Sequence, residues 1–164
     1  MGRVTVTMKI WNDLERARSG QVVALEVETV VDTGAMSMAV IPEELADRLG
    51  LERRGRTRVR YANGSVEERE FAVGVGIEVL GRECWGRVIV EKAGSKVLLG
   101  QLALEDMDLV VDCRRGTIGP NPASPDMPLH EIYGVVSGTS RQESWARPGL
   151  SKGDPSGVLY CAVT

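Results

Sequence analysis

Asp32, Thr33, Gly34 and Ala35 come directly after two valines, Val30 and Val31. The run Val22-Val23-Ala24-Leu25, then Val27, Val30 and Val31, reads as a strand entering a core, and it ends in a carboxylate, a hydroxyl and a glycine. A carboxylate at the mouth of a buried strand is costly unless it is hydrogen-bonded or used, because desolvation penalises its charge. Thr33 can donate and accept locally, and Gly34 lets neighbouring backbone approach the carboxylate. The other reactive side chains are less well placed. His130 is the single histidine and has no cysteine pair near it, which argues against a triad or zinc site and makes a solvated histidine the better reading. Cys113 ends an apolar strand beside Arg114 and Arg115 with no basic partner, and reads as a buried or half-buried free thiol. Glu67, Glu68 and Glu70 alternate around Arg69 as the wet face of a strand would, and Asp112 reads as the start of a turn. No metal or cofactor is expected, and no phosphate-cradling glycine loop is present.

The frame that must position Asp32 is strand-rich. At 164 residues the chain is long enough to bury one core. Aromatics make up only 4% while valine and glycine are abundant, which favours short strands and tight turns over a helical bundle. A formal charge of −3 without a basic cluster argues against nucleic acid as a partner. Cys84, Cys113 and Cys161 are an odd set without paired spacing, so reduced thiols in a cytoplasmic protein are expected. The alternating start, Met1 to Met8, reads as a strand and not a signal peptide, and no run is apolar enough to span a membrane.

Residues 3–11 alternate with Val4, Val6, Met8 and Ile10 on one face, and residues 12–20 read as an exposed hairpin connection. A strand from about Val22 delivers Asp32. A short buried strand over Met36-Ser37-Met38-Ala39-Val40-Ile41 comes after it, and Pro42 opens a helix that Gly50 closes. Residues 56–61 and 65–71 alternate around Ala62-Asn63-Gly64, a hairpin signal because Asn and Gly both tolerate positive φ. Strands are predicted over 73–80 and 84–90, joined at Gly81-Arg82. The run Val97-Leu98-Leu99-Gly100 comes next, then a short helix over 101–107, a strand over 108–113, a turn at 114–116 and a last strand from Thr117. Residues 120–164 hold six of the seven prolines with five glycines and six serines, and read as an irregular tail from which pieces such as 129–133 or 158–160 could dock.

Taken in order, Asp32-Thr33-Gly34-Ala35 after two apolar residues, the Asn-Gly hairpin, and Leu98-Leu99-Gly100 resemble the retropepsin-like (retroviral-type) aspartic proteases over residues 3–119. The resemblance implies an all-β fold, a closed or partly open barrel of short strands with one or two short helices, in a protease domain over 1–119 with the tail at 120–164. It implies an aspartic endopeptidase, with Asp32 the acid/base, Thr33, Gly34 and Ala35 supporting its loop, and Leu98, Leu99 and Gly100 packing beneath. It makes Tyr61, Ala62, Asn63, Gly64 and Ser65 the candidate flap over an extended peptide or protein substrate. Because the chain has one Asp-Thr-Gly, the resemblance also implies a homodimer whose two Asp32 carboxyls form the dyad. One departure stands out: Met36-Ser37-Met38-Ala39 runs a residue longer than the family pattern, and since one residue flips strand faces, a bulge or altered loop is required. From residues alone, Leu98-Leu99-Gly100 could be an ordinary core strand, Tyr61 a cross-strand packing residue and its hairpin an idle surface turn. The rival functions are a non-catalytic peptide-binding or assembly module of the same fold, or a structural β-domain.

Overall fold

A computed structural model describes residues 3–131. The chain divides into two units, Met1–Leu129 and His130–Thr164, and the barrel and the candidate site both belong to the first. Residues 132–164, including Cys161 and the docking pieces expected at 132–133 and 158–160, lie outside the described residues.

Nine strands and three short helices are described. β1 (Thr5–Asn12) leads into α1 (Asp13–Ser19) and returns antiparallel as β2 (Ala24–Asp32), with Thr5 opposite Val30. β3 (Ala39–Pro42) and α2 (Glu43–Arg48) come next, then β4 (Arg53–Arg60), β5 (Val66–Val79), β6 (Arg82–Glu91), β7 (Leu98–Gly100), α3 (Gln101–Asp106), β8 (Leu109–Asp112) and β9 (Thr117–Pro120). The main sheet runs β1-β2-β7-β3-β6-β5-β4, and a further β1–β5 pairing closes six of its strands into a barrel. β8 and β9 form a separate antiparallel pair.

Alternation puts Met8, Ile10, Ile41, Val75, Ile77, Val79, Cys84, Val88 and Leu99 in one core with α2 (Leu45, Ala46) and α3 (Ala103, Leu104). The closed, mostly β barrel agrees with the fold expected. Four local expectations are corrected. The connection at 12–20 contains α1, because Asn12 caps it by accepting the Glu15 N–H at 3.1 Å and Gly20 ends it at φ 70°. The strands predicted at 65–71 and 73–80 are one 14-residue strand, β5, whose pairing with β6 shifts between Ala72 and Val75. Its turn into β6 falls at Leu80-Gly81, both at positive φ, and not at Gly81-Arg82. Cys113 is exposed, because it lies in the turn after β8 and not in the strand; Cys84 is buried, and burial pushes its thiol up to about 12.

Residues 121–131 carry no regular structure, yet the stretch to Leu129 is anchored to the barrel. Buried Arg82 donates to the carbonyls of Met107 (2.9 Å), Asp108 (2.7 Å), Ser124 and Pro125. The Asp108 carboxylate accepts from Asn121 (2.8 Å), from the Ser124 hydroxyl and from the Leu129 N–H (3.1 Å). Composition gave no sign of this anchoring, since both anchor residues precede the segment in sequence.

Burial pushes the Asp108 carboxyl up, but its donors at Ser124, Asn121 and Leu129 and the Arg82 charge outweigh that and hold it below its ordinary 3.8. A folded-state value below the unfolded one contributes stability that is present above the unfolded value and lost as pH falls through the folded one. Asp108→Asn, which still suits the positive φ of 49° there, is therefore expected to cost about 1–3 kcal/mol at neutral pH by unpairing a donor. It should also flatten the acid limb: urea midpoints measured below about pH 5 fall less steeply for the variant than for the parent.

Candidate active site

β2 ends at Asp32 because it runs parallel to β7, with Val30 beside Leu98, Val31 beside Leu99 and Asp32 beside Gly100. β7 is also antiparallel to β3, with Leu99 opposite Ala39, so the last three residues of β2 lie against a strand held on both edges. The chain then turns sharply. The Ala35 N–H donates to the Asp32 carbonyl at 3.1 Å, and the Ala35 carbonyl accepts from both Ser37 N–H and Gln101 N–H at 2.9 Å. The Gly100 N–H donates to the Met38 carbonyl at 2.9 Å. Two of these bonds close the loop on itself, and the two from Gln101 and Gly100 fix it against β7 and the start of α3.

Gly100 has an ordinary φ of −91°, so space and not conformational freedom demands glycine. A Cβ there would stand 2.0 Å from the Ser37 carbonyl oxygen and 2.7 Å from that of Ala35. Between Ala35 and β3 the chain runs as an irregular loop. Met36 is 81% exposed, the Ser37 N–H turns back to the Ala35 carbonyl, and Ser37, Met38, Ala39 and Ile41 are buried again. The strand expected from Met36 accordingly begins only at Ala39.

Asp32 itself is half-buried. Its Oδ1 accepts the Gly34 N–H at 2.9 Å, and a Cβ on Gly34 would lie 3.3 Å from the same oxygen. Its Oδ2 has no donor among the described residues. One oxygen is tethered and the other is left open. Thr33 and Gly34 are exposed and Ala35 is half-buried. The structure thus brings Asp32, Thr33, Gly34, Ala35, Leu98, Leu99 and Gly100 into one assembly.

Tyr61 to Ser65 form the tip of the β4–β5 hairpin, apart from that assembly in the sheet order. The Tyr61 N–H donates to Ser65 O and the Gly64 N–H to Tyr61 O, each at 2.9 Å. Only Gly64 uses positive φ (84°), while Asn63 accepts from the Ser65 N–H and hydroxyl through its side chain. Asn and Gly therefore shape this turn for different reasons, not the shared one expected. Ala62, Asn63, Gly64 and Ser65 are exposed.

The base of the tip carries a cluster that the sequence did not single out. The Tyr61 hydroxyl donates to Glu91 Oε2, Arg69 Nε donates to Glu91 Oε1 at 2.5 Å, and the Arg69 guanidinium carbon stands 5.6 Å from the Tyr61 ring centroid. Glu67 takes Arg69 at 2.7 Å and Lys92 at 3.2 Å. Of the acids expected on a wet face, Glu68 and Glu70 are exposed and Glu67 is half-buried, while the Arg69 side chain between them is only 12% exposed. Reading β5 for charge alone missed that Tyr61 and Glu91, two strands apart, make its polar side a paired one.

The family model described as "gag-polyprotein putative aspartyl protease" matches residues 19–106, more than half of the chain. The chain belongs to this family of retroviral-type aspartic proteases. A comparison with curated proteins finds no match. The matched span takes in the Asp32 loop, the β4–β5 hairpin and Gly100, so the resemblance drawn from those motifs holds.

Both the packing at Gly100 and the pairing of Tyr61 can be measured. Gly100→Ala drives a methyl into backbone that cannot swing aside, and urea unfolding should show a loss at or above the roughly 1–3 kcal/mol typical of overpacking. Burial first, then the Glu91 bond and charge, raise the Tyr61 phenol to about 12 against the opposing pull of Arg69. Absorbance titration should show one tyrosine ionising in that range, and Tyr61→Phe should delete it.

Proposed function

We propose that this chain is an aspartic endopeptidase whose catalytic dyad is formed by Asp32 from each of two identical chains. The observation that carries the reading is the half-tethered carboxylate: Asp32 holds one oxygen on the Gly34 N–H and leaves the other open at the end of β2. Family membership supports peptide-bond hydrolysis as the reaction. The single Asp-Thr-Gly in the sequence supports a second chain as the source of the second carboxyl.

Two such groups about 3 Å apart cannot both ionise readily, so they share one proton, as aspartic proteases do in general. The ionised carboxylate takes a proton from water as the water oxygen attacks the carbonyl carbon. The protonated partner gives its proton to the carbonyl oxygen. Collapse of the resulting diol breaks the C–N bond, with a proton delivered to the leaving nitrogen. In this reading Thr33 braces the paired loops across the axis, Gly34 and Ala35 hold the carboxylate, and Leu98, Leu99 and Gly100 support it from below. Tyr61 to Ser65 close over an extended peptide, excluding water and aligning its backbone. Free thiols at Cys84 and Cys113 favour a reducing, cytoplasmic setting.

Asp32→Asn should lower peptide cleavage by about 10²–10⁴-fold or more while the fold and the size in solution stay unchanged. Activity per chain should fall on dilution, and an excess of Asp32→Asn chains should poison the wild type by forming mixed pairs. Cleavage that is independent of concentration and immune to such mixing would sink the shared dyad. Equal peptide binding by both forms with no cleavage by either would mark a binding module instead.

A further inference from the structure

We infer that the outer edge of β4 is a docking strand for an extended acidic segment of a partner protein. β4 is the terminal strand of the seven-stranded sheet, and its outer edge is unpaired among the described residues. Along it, Arg54, Arg56, Arg58 and Arg60 are exposed, while Arg53, Gly55, Thr57 and Val59 between them are half-buried. Arg54 is paired with Glu52 at 2.8 Å and Arg56 lies 3.8 Å from Glu68. Arg58 and Arg60 have no ion-pair partner among the described residues.

The backbone points the same way. In an antiparallel pair, residues alternate between exchanging hydrogen bonds with the neighbour and turning their N–H and C=O outward. Tyr61 donates to Ser65, which makes that pair a bonded one. Counting back along the register, Arg60 opposite Val66, Arg58 opposite Glu68 and Arg56 opposite Glu70 are the non-bonded pairs. The three arginines thus present peptide groups to the open edge and guanidinium groups to one side of it. An added strand would meet a hydrogen-bond ladder and a row of cations at the same spacing.

Charge complementarity selects the occupant. β5 is the strand already seated on the inner edge, and it sets Glu70 and Glu68 opposite Arg56 and Arg58. An incoming strand with acids at alternate positions repeats that match on the outer edge. A second copy of β4 would place arginine against arginine, which is unfavourable for directly opposed like charges. The same stripe therefore discourages self-pairing of an exposed edge and leaves it open to acidic strands.

The test uses a fluorescein-labelled peptide alternating valine and glutamate, with the full chain carrying Asp32→Asn so that the probe is not cut. Anisotropy at low salt should show saturable binding, weakened at least about tenfold by Arg58→Glu/Arg60→Glu, whose fold is checked by circular dichroism. A peptide N-methylated on alternate amides, so that it cannot pair as a strand, should not bind. No binding of the acidic peptide, or equal binding by the charge-reversed variant, overturns the inference. Equal binding of the N-methylated peptide also overturns it, leaving plain charge attraction. A charge-reversed variant that changes only the oligomeric state overturns it as well, assigning the edge to a second copy.

Discussion

The contact between Gly100 and the carbonyls of Ala35 and Ser37 is the constraint on which the candidate active site depends. Parallel pairing of β2 with β7 brings two stretches remote in sequence into register, and the bond from Gly100 N–H to the Met38 carbonyl pins the far side of the loop. A side chain at 100 would occupy the space those carbonyls fill. The position of Asp32 is thus fixed by backbone, with few adjustable side chains between it and the barrel core. Interiors packed to this density transmit displacement instead of absorbing it.

Much of this was legible in the sequence because the signals are local. Alternation in residues 3–11 located β1 and its inward Met8 and Ile10, Pro42 marked the start of α2, and the Asp-Thr-Gly-Ala, Asn-Gly and Leu-Leu-Gly motifs fell where the site and hairpin lie. What was not legible depends on partners far away in the chain. Nothing near Tyr61 announces Glu91, and nothing near residues 121–129 announces Arg82 and Asp108. The helix at 13–19 was hidden for another reason: none of its residues is buried, so it lacks the apolar stripe that marks most helices, and only Asn12 and Gly20 give it away. The outward loop at Met36 is a backbone choice that composition does not encode.

The hairpin has a firm base and a light tip. At its base, Tyr61, Arg69 and Glu91 join β4, β5 and β6 through hydrogen bonds and a stacked guanidinium, and Arg87 lies 5.0 Å over the Phe71 ring on a neighbouring stretch of β6 and β5. Beyond Tyr61 only turn bonds and the Asn63 side chain hold the chain. Local opening is favoured where exposed backbone bonds are not backed by buried apolar contacts. Motion in this hairpin should therefore be greatest at Ala62–Ser65, hinging on the anchored Tyr61, with the barrel wall left in place. That division suits a segment proposed to close over substrate without disturbing the strands that carry Asp32.

A carboxylate with one tethered oxygen and one open oxygen is inexpensive to keep in a single chain. The Gly34 N–H orients it, and partial exposure spares it the desolvation cost of a sealed interior. Full pre-organisation of two carboxyls within one barrel would place like charges together during folding, and the fold itself would bear their repulsion. In the proposed dimer, dividing the pair between two chains would move that cost to association. A barrel built this way can fold on backbone complementarity around Gly100, and in the proposed dimer a second copy would complete the reactive geometry.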